Sequence, residues 1–221
     1  LSIRKQGAFS GFMHEHARVG DLIEARAPRG SFTVDALQAR PLVLISAGVG
    51  ITPMLAMLRH VVYEGVRKRR IRPTWFIHGG RDERERGFLA EVAQVAESAR
   101  GQVQVVHVLE EPGPDAREGV DFHAKGRINL SLLKSVLPFD EFDFYLCGPP
   151  AFMQGLYAGL RSLHVPEEHI HAESFGPAGL RRDSAPVLAA VSTEAVPVLF
   201  AASGKEARWA PGSGSLLELA E

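Results

Sequence analysis

The sequence predicts an α/β chain whose centre is a doubly wound, parallel, five-stranded sheet, with part of a small antiparallel barrel before it and a short β element after it. Three observations lead there. From residue 41 onward, apolar runs alternate with stretches of helical period; the first run ends in a glycine-rich turn; and short strand-like runs without that alternation stand on either side.

Residues 1–40 hold strand-like runs at 1–5 and 22–27, set off by glycine and proline turns, and a short helical stretch at 12–18. Runs of that kind suit a small antiparallel barrel. The next 18 residues, 41–58, carry no charge, which meets the length criterion for a membrane span. Ser46, Gly48, Gly50, Thr52 and Pro53 interrupt them, however, where a buried strand would turn into a helix. Further strands are predicted at 74–78, 103–108, 142–147 and 170–173 after a first at 42–46, with helices at 53–65, 83–99, 129–137 and 150–163. Strand and helix in alternation mean parallel βαβ units. Residues 176–195 are rich in proline, alanine and small polar residues and read as a linker. Beyond it, 196–201 and 205–209 flank Ser203-Gly204, a two-residue hairpin signal, and an amphipathic stretch opens at Ser215. The expected division is 1–40, 41–177, a linker over 178–195, and 196–221.

Composition narrows the function. Hydrophobic residues make up 45% and charged residues 23% of the 221, as in folded globular chains. The 25 Lys+Arg nearly cancel 26 Asp+Glu, so no global field recruits nucleic acid or an anionic membrane. Cys147 is the single cysteine, which excludes a disulfide framework and a four-thiolate cluster built by these residues alone. A cytoplasmic location is expected on that basis. The sequence starts at Leu1 without Met and stops inside a helical pattern at 216–220, as a piece of a longer polypeptide would.

Gly48-Val49-Gly50-Ile51-Thr52-Pro53 follows a buried strand and opens a helix. Glycines there let the backbone approach a ligand, Thr52 can cap, Pro53 suits the first turn, and free helix N–H groups favour a pyrophosphate. Alone, the motif also suits an ordinary strand-to-helix turn. Cys147-Gly148-Pro149-Pro150 ends a later parallel strand, and ligands of open α/β sheets gather outside the carboxyl ends of the strands. No cationic neighbour marks Cys147 as a thiolate, and a buried small hydrophobe is its alternative role. Glu173-Ser174-Phe175-Gly176-Pro177 leaves the last strand and could offer a ring to a planar ligand or to the core. Gly7-Ala8-Phe9-Ser10 could offer amides and a hydroxyl to a phosphate, or be only a turn. His14-Glu15-His16 is not read as a metal site, because helix residues two apart do not share a face. Met54, Met57 and Leu58 read as core. At the end of the second strand, His78-Gly79-Gly80-Arg81-Asp82-Glu83 places Arg81 and Asp82 where a ribose 2′-hydroxyl or 2′-phosphate is discriminated.

Taken in order, these segments resemble the ferredoxin-NADP reductase-like family, in particular its bacterial NADH-dependent branch of flavohaemoglobin reductase modules and oxygenase reductases. The stretch Leu44-Ile45-Ser46-Ala47-Gly48-Val49-Gly50-Ile51-Thr52-Pro53-Met54 is similar to the family's dinucleotide loop, and the Cys147 and Glu173 motifs follow in register. The resemblance implies that Ser46, Gly48, Val49, Gly50, Thr52 and Pro53 hold the pyrophosphate. It also implies that Cys147, with Gly148 and Pro149, lies beside the nicotinamide, and that Glu173 and Phe175 lie near the flavin. Gly7 to Ser10 resembles the family's second flavin motif, and Ala27-Pro28-Arg29-Gly30-Ser31-Phe32 the strand closing its FAD-binding barrel. Residues 196–221 resemble the opening of a plant-type, β-grasp ferredoxin domain whose four cluster cysteines would follow Glu221. The implied cofactors are NAD(P)H, with NADH favoured by Asp82 and Glu83, FAD, and a two-iron, two-sulfur cluster in the parent protein only. The implied activity is hydride transfer from NAD(P)H to FAD and single-electron transfer onward to a cluster and an acceptor that the sequence does not name. The alternatives are the reductase module of a flavohaemoglobin-like nitric oxide dioxygenase and a non-catalytic dinucleotide-binding module.

Overall fold

The structure, a computed structural model, describes residues 3, 5, 7–25, 27, 29–85, 87–175, 179–182, 195–200, 204–210 and 219. Contacts divide the chain into two units, Leu1–Arg181 and Arg182–Glu221.

The first unit is built on six parallel strands, β1 (Leu42–Ala47), β2 (Thr74–Gly80), β3 (Val103–Leu109), β4 (Ala124–Lys125), β5 (Asp143–Cys147) and β6 (Ile170–Ala172), in the order β4-β3-β2-β1-β5-β6. The expected five strands become six. The addition, β4, is two residues long and pairs with the end of β3, too short to carry a periodic signal. β1 lies centrally because its first five residues are buried on both faces, as an unbroken apolar run requires. Chain order reverses between β1 and β5, so the crevice of this sheet opens above their carboxyl ends.

The helices are α1 (Ala8–His16), α2 (Ile51–Arg67), α3 (Leu89–Ser98), α4 (Leu130–Val136) and α5 (Pro150–Ser162). Alternate residues of the strands feed two cores. Leu42, Leu44, Phe76, Tyr145 and Cys147 pack with Met54, Leu58 and Val61 of α2 and Val92 of α3. Val43, Ile45, Ile77, Phe144 and Leu146 pack with Leu133 of α4 and Met153, Leu156 and Leu160 of α5. The expected helix over 83–99 is shorter: a single tight turn at Glu83–Glu85 precedes α3, whose N-cap Phe88 is left-handed (φ 64°). Asn129 caps α4 by accepting the Leu132 N–H at 3.0 Å, and Pro150 opens α5 where a missing N–H costs nothing.

Residues 1–40 differ most from expectation. Among their described residues no strand forms, and the helix runs over Ala8–His16 rather than 12–18. A strand exists only through its ladder, and the described part of 22–27 has no ladder partner. The second unit holds an antiparallel hairpin of β7 (Val196–Phe200) and β8 (Lys205–Trp209). Gly204 is left-handed (φ 66°) and donates its N–H to the Phe200 carbonyl at 2.8 Å, as the turn signal anticipates. The expected helix start at Ser215 lies outside the described residues, as does most of the expected linker.

Candidate functional site at the carboxyl rim of the sheet

β1 ends at Ala47 and the chain turns through a single tight turn, Gly48–Gly50, into α2. Gly48 sits at φ 54°, a left-handed conformation that glycine adopts freely. No side chain caps the N-terminus of α2, and no acidic residue stands in its first turn. Thr52 does not serve as the cap; its hydroxyl donates back to the Val49 carbonyl at 3.0 Å and stiffens the loop. An uncapped helix N-terminus behind a glycine loop favours an anion.

The requirement for Gly50 has a different origin from the one the motif suggests. A Cβ at that position would lie 2.0 Å from the carbonyl oxygen of Cys147 and 2.5 Å from its carbonyl carbon. Gly50 is therefore needed where the turn after β1 meets the loop after β5, whatever binds above. The two loops read separately in the sequence are wedged against each other at the point where the sheet changes direction. On the other side, a Cβ at Gly148 would lie 2.8 Å from the Phe152 ring.

Cys147 is buried, and its thiol is pushed up to about 11, first by that burial and then by the negative charge of Glu173. It remains a neutral thiol at ordinary pH. Glu173 continues the pairing of β6 by donating its N–H to the Leu146 carbonyl at 3.2 Å, which brings it beside the Cys147 loop. Phe175 follows with 64% of its surface exposed; Gly176 and Pro177 lie outside the described residues.

Beneath the rim runs a row of polar groups. Ladder register aligns Cys147, Ser46, His78 and His107 across β5, β1, β2 and β3. Ser46 is fully buried and its hydroxyl lies 2.9 Å from Nδ1 of His78, so it supports the loop from below. Burial, reinforced by His107 and offset by the Ser46 contact, brings His78 down from 6.5 to about 4. Its Nε2 is buried without a hydrogen-bond partner among the described residues. His107 in turn donates its backbone N–H to Nδ1 of His123 at 3.0 Å. Sequence reasoning did not single out His107 or His123; aligning the strands by their carboxyl ends is the signal that finds His107, whereas His123, outside every strand, has none.

At the end of β2, Asp82 accepts the Arg84 N–H at 2.9 Å and pairs with its guanidinium at 2.6 Å. Glu83 accepts the Gly113 N–H at 3.0 Å. Asp82 thus holds its own loop and Glu83 ties that loop to the one at Gly113, while Arg81 is exposed. Gly7 to Ser10 are not assembled with these groups. Gly7 caps α1, Ser10 Oγ accepts the Gly7 N–H at 2.8 Å and donates to its carbonyl at 3.0 Å, and Phe9 is 71% exposed. α1 contributes no side chain to either core. In the same helix His14 lies against the Ile3 carbonyl, Glu15 pairs with Lys5 and His16 stacks on Phe12.

A profile described as the oxidoreductase NAD-binding domain matches residues 44–157, a stretch that includes both loops. The flavohemoprotein of Bordetella pertussis is 37% identical over 174 residues, which are 79% of this chain and 42% of that protein. The chain therefore spans less than half the length of this relative. Among solved structures, the flavohem-like FAD/NAD binding domain of nitric oxide dioxygenase from Vibrio cholerae is 33% identical, with a TM-score of 0.63, covering 77% of this chain and 65% of that one. Full-length CYP116B46 from Tepidiphilus thermophilus shares the fold over 95% of this chain and 23% of its own, at 21% identity and a TM-score of 0.53.

Proposed function

Because the chain belongs to the oxidoreductase NAD-binding domain family, we propose that it is the nicotinamide-binding part of an FAD-dependent reductase. The observation that carries the reading is the junction of Gly50 with the Cys147 carbonyl. It puts an uncapped helix N-terminus and a second loop on one crevice, the arrangement a dinucleotide needs along its length. Bound there, NAD(P)H supplies a hydride and FAD accepts it.

The chain's own residues bind and align. Gly48, Val49, Gly50 and the first turn of α2 with Thr52 and Pro53 hold the pyrophosphate. Gly148 and Pro149 line the nicotinamide side, where Cys147 packs as a neutral thiol and takes no part as a nucleophile or base. Glu173 and the exposed ring of Phe175 serve the flavin side, and Gly7 to Ser10 the flavin phosphates. Arg81 and Asp82 border the adenosine ribose. NADH is the favoured donor: Asp82, although paired with Arg84, keeps a carboxylate where a 2′-phosphate would stand, and a hydroxyl meets no such repulsion.

The flavohemoprotein relatives, matched over about four-fifths of the chain, favour the reductase module of a nitric oxide dioxygenase. The hairpin of β7 and β8 favours a second reading, in which electrons continue to a ferredoxin-type domain. With one cysteine, these 221 residues do not ligate a two-iron, two-sulfur cluster by themselves.

Titration of the chain with NADH, followed by energy transfer from tryptophan, should saturate; Gly50→Val should abolish it. With FAD supplied, Cys147→Ala should keep affinity within about twofold and slow flavin reduction about tenfold. Saturable binding by wild type that Gly50→Val leaves unchanged would overturn the assignment of the rim.

A further inference from the structure

The path into the sheet, residues 32–40, has no helix or strand, yet side chains from other segments bond its main-chain carbonyls. Phe32 and Val34 pack on the α2 side of the sheet, and Ala36 is buried there. Arg72, just before β2, is 3% exposed and divides its guanidinium between this path and β5. Its Nε donates to the Arg40 carbonyl at 2.6 Å, Nη1 donates to the Asp35 carbonyl at 2.8 Å, and Nη2 pairs with the Asp143 carboxylate. The other oxygen of Asp143 takes Nη1 of Arg40 at 2.9 Å. Two residues on, Tyr145 donates its hydroxyl to the Thr33 carbonyl at 3.1 Å.

A buried ion pair is a poor way to stabilise a core, since apolar residues of similar volume commonly do as well or better. A guanidinium does what they cannot: its rigid fork holds several acceptors at fixed places. Here two of those acceptors are main-chain carbonyls of the entering path, so the pair defines where that path runs. The strap also touches the rim's supports. The Tyr145 ring packs between Phe32 at 5.7 Å and His171 at 4.4 Å. Asp143, Tyr145 and Cys147 are alternate residues of β5, and so lie on one face. His171 stands two residues before Glu173 on the way out of β6.

We propose that Arg72, Asp143 and Tyr145 form a positioning strap, which registers everything preceding residue 32 against the Cys147 and Glu173 rim. Resting on the reductase reading above, the strap aligns the flavin-bearing part with the nicotinamide loop. Arg72, Asp143 and Tyr145 touch neither cofactor; they act through residues 32–40, Cys147 and Glu173.

Two variants test this in the full chain. Tyr145→Phe keeps the ring and removes only the bond to Thr33; Arg72→Lys keeps the charge and removes the fork. Hydrogen exchange at the amides of Thr33 and Leu37, which donate to the Ser31 carbonyl at 2.8 Å and to the Asp35 carboxylate at 2.9 Å, read without any cofactor, should quicken about tenfold in Tyr145→Phe and more in Arg72→Lys, with the amides of β1 unchanged. With FAD supplied, single-turnover flavin reduction by NADH should slow about tenfold in Tyr145→Phe while NADH affinity stays within about twofold. Unchanged exchange in Tyr145→Phe overturns the strap. Faster exchange with an unchanged reduction rate overturns its positioning role. Failure of the wild type to bind NADH overturns the reductase reading and, with it, the positioning role; the exchange result still reports whether the path is held.

Discussion

Two strand-like runs of this chain, 22–27 and 42–47, end in opposite environments. Leu42 to Ile45 in β1 are entirely buried, whereas Leu22 is 102% and Ile23 51% exposed. Composition separates them only in part: 22–27 carries Glu24 and Arg26, whereas 42–47 carries no charge. β1 has β2 on one side and β5 on the other, each matched residue for residue, while no ladder reaches the described residues of 22–27. An apolar run becomes a strand when partners satisfy its backbone and cover its faces, and the sequence of the run alone does not supply partners.

The comparison yields predictions, and the largest effect falls in β1. Leu44→Ala should lower the unfolding free energy by about 4 kcal/mol, because a fully buried leucine leaves a cavity among rigid neighbours. Urea denaturation of the chain checks this, and a loss below about 1 kcal/mol would mean that β1 is not the centre of the core.

Gly50→Ala should follow at about 3 kcal/mol, the new Cβ pushing the Cys147 carbonyl away from its place 2.0 Å from that atom. The same variant should weaken NADH binding, whereas Gly7→Ala, where a Cβ would meet nothing within 4 Å, should cost at most about 1 kcal/mol through the poorer N-cap of α1.

Acid should act through His78. Its imidazole titrates at about 4 in the folded chain against 6.5 when unperturbed, so between those values the unfolded chain holds the extra proton. Stability should therefore decline as pH falls from about 6.5 to about 4, by roughly 3 kcal/mol at most. The decline should shrink in His78→Gln; an identical pH profile in that variant would assign the effect to other groups.

The smallest effect belongs to the exposed run. Leu22→Ser should change stability by no more than about 0.5 kcal/mol in the chain as it stands. A loss of 2 kcal/mol or more would show that 22–27 is covered in solution, and would break the contrast with β1.

Much of the sheet was legible because its signals are local. An unbroken apolar run bounded by glycine marks β1, a helical period marks α2 and α5, and Ser203-Gly204 marks the hairpin that β7 and β8 form. The glycine and Cys147 loops were legible as motifs, though the reason for Gly50 was not. That reason is an atom 97 residues away in the chain, the Cys147 carbonyl oxygen, and motif reading compares neighbours only. β4 escaped because two residues have no period.

What the sequence determined by itself is the order of strands, turns and helices, with the glycines and polar residues standing at the strand ends; period, turn chemistry and capping act over a few residues and are written there. The tertiary structure alone decided which strand ends stand side by side. Register across β5, β1, β2 and β3 lined up Cys147, Ser46, His78 and His107, closed Gly50 onto Cys147, and set Arg72 against Asp143, 71 positions apart. Those contacts arise when burial of both sheet faces selects one pairing of distant segments, and a one-residue slip would send every one of those side chains to the other face.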